Sequence, residues 1–136
     1  MPWVVDTRLL LDIGLDDPQF AKKSKSLLDG KRADGLLVCP VTFVELAPAF
    51  AGQTNALEEF LFNLGIDYRE EWTWQDSRNA GVAWAAYARL RRAKQTAGRP
   101  VADVLIGAFA TRFQGLLTRN PGDFARFFPN LAIAKP

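Results

Sequence analysis

Short apolar runs stand at Pro2–Val5, Leu36–Cys39, Ile66–Tyr68 and Leu116–Thr118, separated by segments with helical signals. The runs at the start, at 36–39 and at 116–118 do not alternate apolar with polar residues. A strand with one wet face alternates; a strand buried on both faces does not. Strands of this kind, interleaved with helices, predict an α/β chain with a parallel sheet covered on both faces. Asp17-Pro18 reads as a helix start, with Asp as N-cap and Pro at the first helical position, and that helix runs to the Gly30 region. Pro40 opens the next helix, which Pro48 disturbs. Asn55 and Glu58 resemble a capping box ahead of LEEFLFNL, and Gly65 ends that helix. The longest helical segment runs from Trp74 to Ala97 and stops at Gly98; another follows Pro100 and ends near Gln114-Gly115. Asn120-Pro121-Gly122 reads as a turn, and Leu131–Ile133 as a last edge strand. No internal linker or repeat interrupts residues 1–136, so a single domain with four to five strands is expected. Trp72, Trp74 and the Phe127-Phe128 pair are read as core or interface.

No apolar run approaches the ~20 residues of a membrane span. The N-terminus MPWVVDTRLLLD lacks a basic region ahead of its apolar stretch and carries an acid within it, so it is not read as a signal peptide, and a cytoplasmic protein is expected. The single cysteine, Cys39, has no internal partner and reads as a small core residue. There is no histidine. That excludes imidazole zinc sites and a Ser-His-Asp triad, and any metal must be held by oxygen ligands, which points to Mg²⁺ or Mn²⁺. Charge is uneven. Residues 1–76 hold 7 Lys/Arg and 13 Asp/Glu, a net of −6; residues 77–136 hold 10 Lys/Arg and 2 Asp/Glu, a net of +8. The basic half invites a polyanion such as nucleic acid.

Its two acids, Asp103 and Asp123, therefore need a reason. Asp103 sits in the apolar run RPVADVLIGAFATRF. One reading makes it a first-turn acid favoured by the helix dipole; the other makes it face a charged cleft. Its neighbours at i+3, i+4 and i+7 are Ile106, Gly107 and Ala110, which mark a packed face open to close approach by another backbone. Asp6 ends the first strand and equally fits a helix cap; Asn120 and Asp123 follow the fourth strand and equally fit a turn. Glu45, between Val44 and Leu46, equally fits a solvated helix face. In a parallel α/β sheet the working crevice lies beyond the carboxyl ends of the strands. Four carboxylates gathered there repel one another unless a divalent cation binds.

At these residues the chain resembles a known family. VVDTRLLLD, VTFVELAPAF, RPVADVLIGAFA and LLTRNPGDF are similar to the four acidic motifs of the PIN-domain nucleases, and most similar to those of VapC-like toxins of toxin–antitoxin pairs. The resemblance covers essentially the whole chain. It implies a three-layer α/β/α sandwich, a Mg²⁺- or Mn²⁺-dependent ribonuclease, a homodimer, and a cognate antitoxin that blocks the cleft. By motif match, Asp6, Glu45 and Asp103 take metal-ligand and catalytic positions, Asp123 is the fourth acid, and Thr118 supports Asp6 or a metal-bound water. Two positions depart from the pattern. Arg8 stands where many members have Asn or Ser. Asn120 stands where many have Asp, so the resemblance leaves the fourth ligand position to Asn120, to Asp123 or to both. Arg89, Arg91, Arg92, Lys94 and Arg99 are expected to attract an RNA backbone, with Arg112 and Arg119 as weaker candidates. Two other classes compete: a PIN fold without activity that serves as a binding partner, and a receiver-type signalling module built on Asp6, Thr118 and Lys135. A phosphatase of the HAD type wants an acid where Arg8 stands.

Overall fold

A computed structural model describes residues 1–94 and 100–136, the side chains of 91–94 excepted. Five short strands form one parallel sheet: β1 (Trp3–Val5), β2 (Leu36–Leu37), β3 (Ile66–Asp67), β4 (Gly115–Leu117) and β5 (Ile133–Ala134), in the order β3-β2-β1-β4-β5. Trp3 pairs with both Leu36 and Gly115, and Val4 with both Leu37 and Leu116. β1 is thus the central strand. Its residues are all buried, which is why the sequence shows no alternation there.

The two faces of the sheet feed separate cores. Trp3, Val5, Leu36 and Leu117 point to one side, where α1 (Thr7–Gly14), α2 (Ala21–Lys31), α3 (Pro40–Leu46) and α4 (Thr54–Asn63) supply Leu9, Leu28, Leu46 and Leu57. Val4, Leu37 and Leu116 point to the other, against Ile106 and Phe109 of α6 (Val101–Ala110) and Phe124 of α7 (Pro121–Ala125). The long α5 (Trp74–Lys94) lies outside α6 and packs through Ala80 on Val104 and Ala108. The expected α/β chain with a parallel sheet and helices on both faces is what forms. Among the described residues, no helix is long and apolar enough to cross a membrane.

Several local expectations need correction. Asn120-Pro121-Gly122 is not a free turn but the start of α7: Pro121 presets the first helical φ, and buried Phe124 anchors the helix to the core. Asn55 does not cap α4, which begins one residue earlier at Thr54 after Gln53. Asp17 binds the Gln19 and Phe20 amides at 2.9 Å through Oδ1, yet regular helix begins only at Ala21. Trp74, read as core or interface, is 77% exposed, so of the two it is not core. Gly65, at φ 72°, ends α4 as expected. The end of the long helix near Ala97 and its stop at Gly98 lie outside the described residues.

Gly107 admits a ring rather than a backbone. A Cβ there would lie 2.6 Å from the Phe128 ring. Gly107→Ala is expected to lower stability by about 1–3 kcal/mol through overpacking, read by urea unfolding, and Phe128→Leu in the same chain should return part of it.

Candidate functional site

β1 is where the chain switches from building the sheet in one direction to building it in the other. The crevice therefore opens beyond the carboxyl ends of β1 and β4. Asp6 follows β1 directly, and its amide donates to the Leu117 carbonyl at 2.9 Å, so the strand ladder holds its backbone. The side chain is 5% exposed. Its Oδ2 accepts a 2.7 Å hydrogen bond from the Thr118 hydroxyl, which in turn accepts the Asn120 amide at 3.1 Å. Thr118 thus bonds the Asp6 carboxylate, whereas Asn120 enters this network through its backbone.

Electrostatics show which acids share the crevice. Burial pushes the Asp6 carboxyl up to about 6 against the Thr118 hydrogen bond, and the nearby charges of Asp103 and Glu45 push the same way. The Asp103 carboxyl, half-buried in the first turn of α6, is also raised, first by burial and then by Asp123 and Glu45; Arg126 opposes this. Asp103 is a first-turn acid, and the charges of Asp123 and Glu45 act on it there. Glu45 and Asp123 are exposed at the rim. Asp103 and Glu45 thus act on Asp6, and Asp123 and Glu45 act on Asp103. Yet among the described residues no three Asp, Glu, His or Cys side chains form a ready ion-holding group.

Sequence reasoning missed two residues here. The Thr7 hydroxyl donates to Glu45 Oε1 at 2.6 Å and stands 3.1 Å from the Thr42 hydroxyl. The signal was present in part, because Thr42 and Glu45 are three apart on α3 and so share a face. Nothing local placed Thr7 against them.

The basic candidates divide. Arg89 is exposed on α5. The side chains of Arg91, Arg92 and Lys94, and all of Arg99, lie outside the described residues. Arg112 and Arg119 are not free for a polyanion. Arg112 grips buried Asp76 with two bonds, Nε to Oδ1 at 2.8 Å and Nη2 to Oδ2 at 2.9 Å, and also donates to the Glu71 carbonyl. Arg119 lies 4.0 Å over the Phe20 ring and 3.3 Å from Asp12, an ion pair that leaves both buried atoms without a hydrogen bond. These partners come from the acidic half of the sequence, so part of the +8 surplus is neutralised internally. Cys39 is buried, as expected, and burial pushes its thiol up to about 12. The receiver-type alternative loses its topology: such folds order their strands 2-1-3-4-5, and here β1 lies between β2 and β4.

Neither a protein-family model nor a curated protein matches the chain. Solved structures do match over almost its full length. VapBC2 from Rickettsia felis, bound to a DNA fragment from their promoter, is 16% identical with a TM-score of 0.66, covering 99% of this chain and 98% of that one. FitAcB from Neisseria gonorrhoeae is 20% identical with a TM-score of 0.59, covering 98% and 96%. FitAB bound to an IR36 DNA fragment is 19% identical with a TM-score of 0.66, covering 100% and 95%. At such identities the likeness shows the fold. These findings correct the expected PIN-domain ribonuclease and VapC-like toxin: two of the three structures are DNA complexes, none is named for a ribonuclease or an RNA, and no family model stands behind the assignment. RNA as the substrate is given up with it. Of the readings weighed from the sequence, a binding protein with this fold agrees best with the comparisons.

Proposed function

We propose that the chain is a binding subunit of a toxin–antitoxin-type pair, which engages a partner protein and assembles with it on DNA. The observation that carries this reading is the end-to-end fold match with the VapBC2 and FitAB structures, both of them bound to DNA. The architecture in this reading is a three-layer α/β/α sandwich. The test is to purify the chain with the product of its adjacent gene and to titrate each, and the mixture, against their own promoter DNA. Light scattering should show a complex, and the mixture should shift the DNA at lower concentration than either protein alone. Two proteins that elute separately and bind DNA no better together would overturn the reading.

The Mg²⁺ or Mn²⁺ expected from the sequence does not fit the crevice as it stands: its acids are hard oxygen donors, but among the described residues no three Asp, Glu, His or Cys side chains form a group that could hold the ion.

A further inference from the structure

The acidic half of the chain holds one strongly basic exception. Residues 1–76 carry a net −6, yet α2 reads AKKSKSLLDGK, with four lysines against one aspartate. Helical spacing sorts these residues. Ala21, Ser24 and Leu28 are buried on one side of α2 and hold the helix against the body of the protein. Lys22, Lys23 and Ser26 lie on the other side, exposed. Together with Lys135 and Pro136, which follow the edge strand β5, they line a groove of about 490 Å³; Leu27 completes the lining. The groove thus gathers three ammonium groups from distant parts of the chain. Among the described residues the ion pairs involve Arg32, Arg112 and Arg119, and none of these three lysines enters one. Cations brought together without an acid repel one another, and a polyanion that settles among them relieves this while releasing its own counterions.

We infer that this groove seats the phosphate backbone of duplex DNA, so that this chain adds a contact of its own to the DNA on which the pair assembles. The inference rests on the reading of the chain as one member of a DNA-bound pair. Charge complementarity carries it: three unpaired cations line one concave surface, and the duplex backbone is a row of anions. The kind of cation matters as well. Lysine is a compact point charge on a flexible stem, which follows phosphates in varied positions but lacks the planar fork of arginine. The polar lining of the groove is three lysines and a serine hydroxyl. Such a set suits the backbone contacts that position a protein on a duplex, not the base contacts that select a sequence. The groove therefore strengthens binding to any duplex alike.

The test combines Lys22→Gln, Lys23→Gln and Lys135→Gln in one full-length chain. Lys25→Gln is the control, since Lys25 is exposed on α2 but outside the groove. Each chain is purified with the product of the adjacent gene, and light scattering checks that the pair still forms. Fluorescence anisotropy then measures binding to the promoter duplex and to a duplex of unrelated sequence over a range of KCl concentrations. The triple variant should bind both duplexes about 10- to 100-fold more weakly, and the slope of log K against log salt should flatten by about one for each lost contact. Lys25→Gln should keep the wild-type slope. A wild-type slope in the triple variant overturns the inference and leaves the pair reading intact. So does a Lys25→Gln chain that flattens the slope as far as the triple change. A triple variant that no longer forms the pair also overturns it, because the groove then holds the partner protein and not DNA. If the wild-type pair neither forms nor binds DNA, the pair reading has failed, and the chain alone on the unrelated duplex at low salt decides. Binding there that the triple change weakens sustains the groove; no binding, or equal binding by both chains, ends it.

Discussion

Arg112→Ala should lower the stability of this chain by about 3–5 kcal/mol, the usual result of stranding one partner of a buried ion pair. Asp76 is 0% exposed, and Arg112 supplies both of its side-chain ion-pair bonds, at 2.8 and 2.9 Å. Asp76 is also tied into the start of α5: Oδ2 accepts the Thr73 amide at 2.9 Å while the Asp76 amide donates to the Thr73 hydroxyl at 3.2 Å. It therefore cannot swing out to water when the guanidinium is gone without giving up the helix cap. The guanidinium also lies 5.0 Å from the Phe109 ring centre and 4.8 Å from that of Phe113, so its loss removes packing as well as charge. Arg112→Lys keeps the charge but not the two-pronged geometry and should fall between wild type and alanine. Adding Asp76→Asn to Arg112→Ala should return part of the loss, because the stranded charge is then gone. Urea unfolding at pH 7 measures all of these. A loss below about 1 kcal/mol in Arg112→Ala would place this pair with ordinary surface salt bridges.

Asp6→Asn should stabilise the metal-free protein, and by an amount that depends on pH. Burial, with Asp103 and Glu45 adding to it, lifts the Asp6 carboxyl from its ordinary 3.8 to about 6 in the folded chain. The folded state thus keeps a proton that the unfolded chain releases, so folding is favoured below pH 4 and that advantage is lost as pH rises through 6. The difference between 3.8 and about 6 corresponds to about 3 kcal/mol of penalty carried by the wild type at pH 8. Asparagine keeps an oxygen for the Thr118 hydroxyl and removes the charge. The variant should therefore be more stable than wild type by about 3 kcal/mol at pH 8 and about equal to it at pH 4. Unfolding curves at pH 4, 6 and 8 in EDTA decide the matter. A variant less stable than wild type at pH 8 would mean that the Asp6 charge is satisfied where it lies.

Much of the fold was legible because it depends on local pattern. Val4 and Val5 are apolar in succession because β1 is buried from both sides, and that requirement is written into neighbouring positions. Gly65 announces the end of α4 because few residues accept its φ of 72°. The acids at the crevice could be read for a related reason. Asp6 and Asp103 stand in apolar runs, and their strangeness is visible without knowing what faces them. The basic surface was less legible. Arg112 and Arg119 look like free cations in sequence, yet their acids lie 36 and 107 positions earlier in the chain.

The strands, the covered parallel sheet and the acid that closes β1 each follow from how a residue relates to those beside it, and so could be read along the chain. Whether Asn120-Pro121-Gly122 is a turn or the start of α7 was decided by Phe124 finding a core to enter. That Glu45 is fastened rather than loose was decided by Thr7, 38 residues away. Only the tertiary structure settles such matters, because a hydrogen bond or an ion pair depends on which groups the folded backbone brings within 3 Å, and the spacing of residues along the chain carries no record of that.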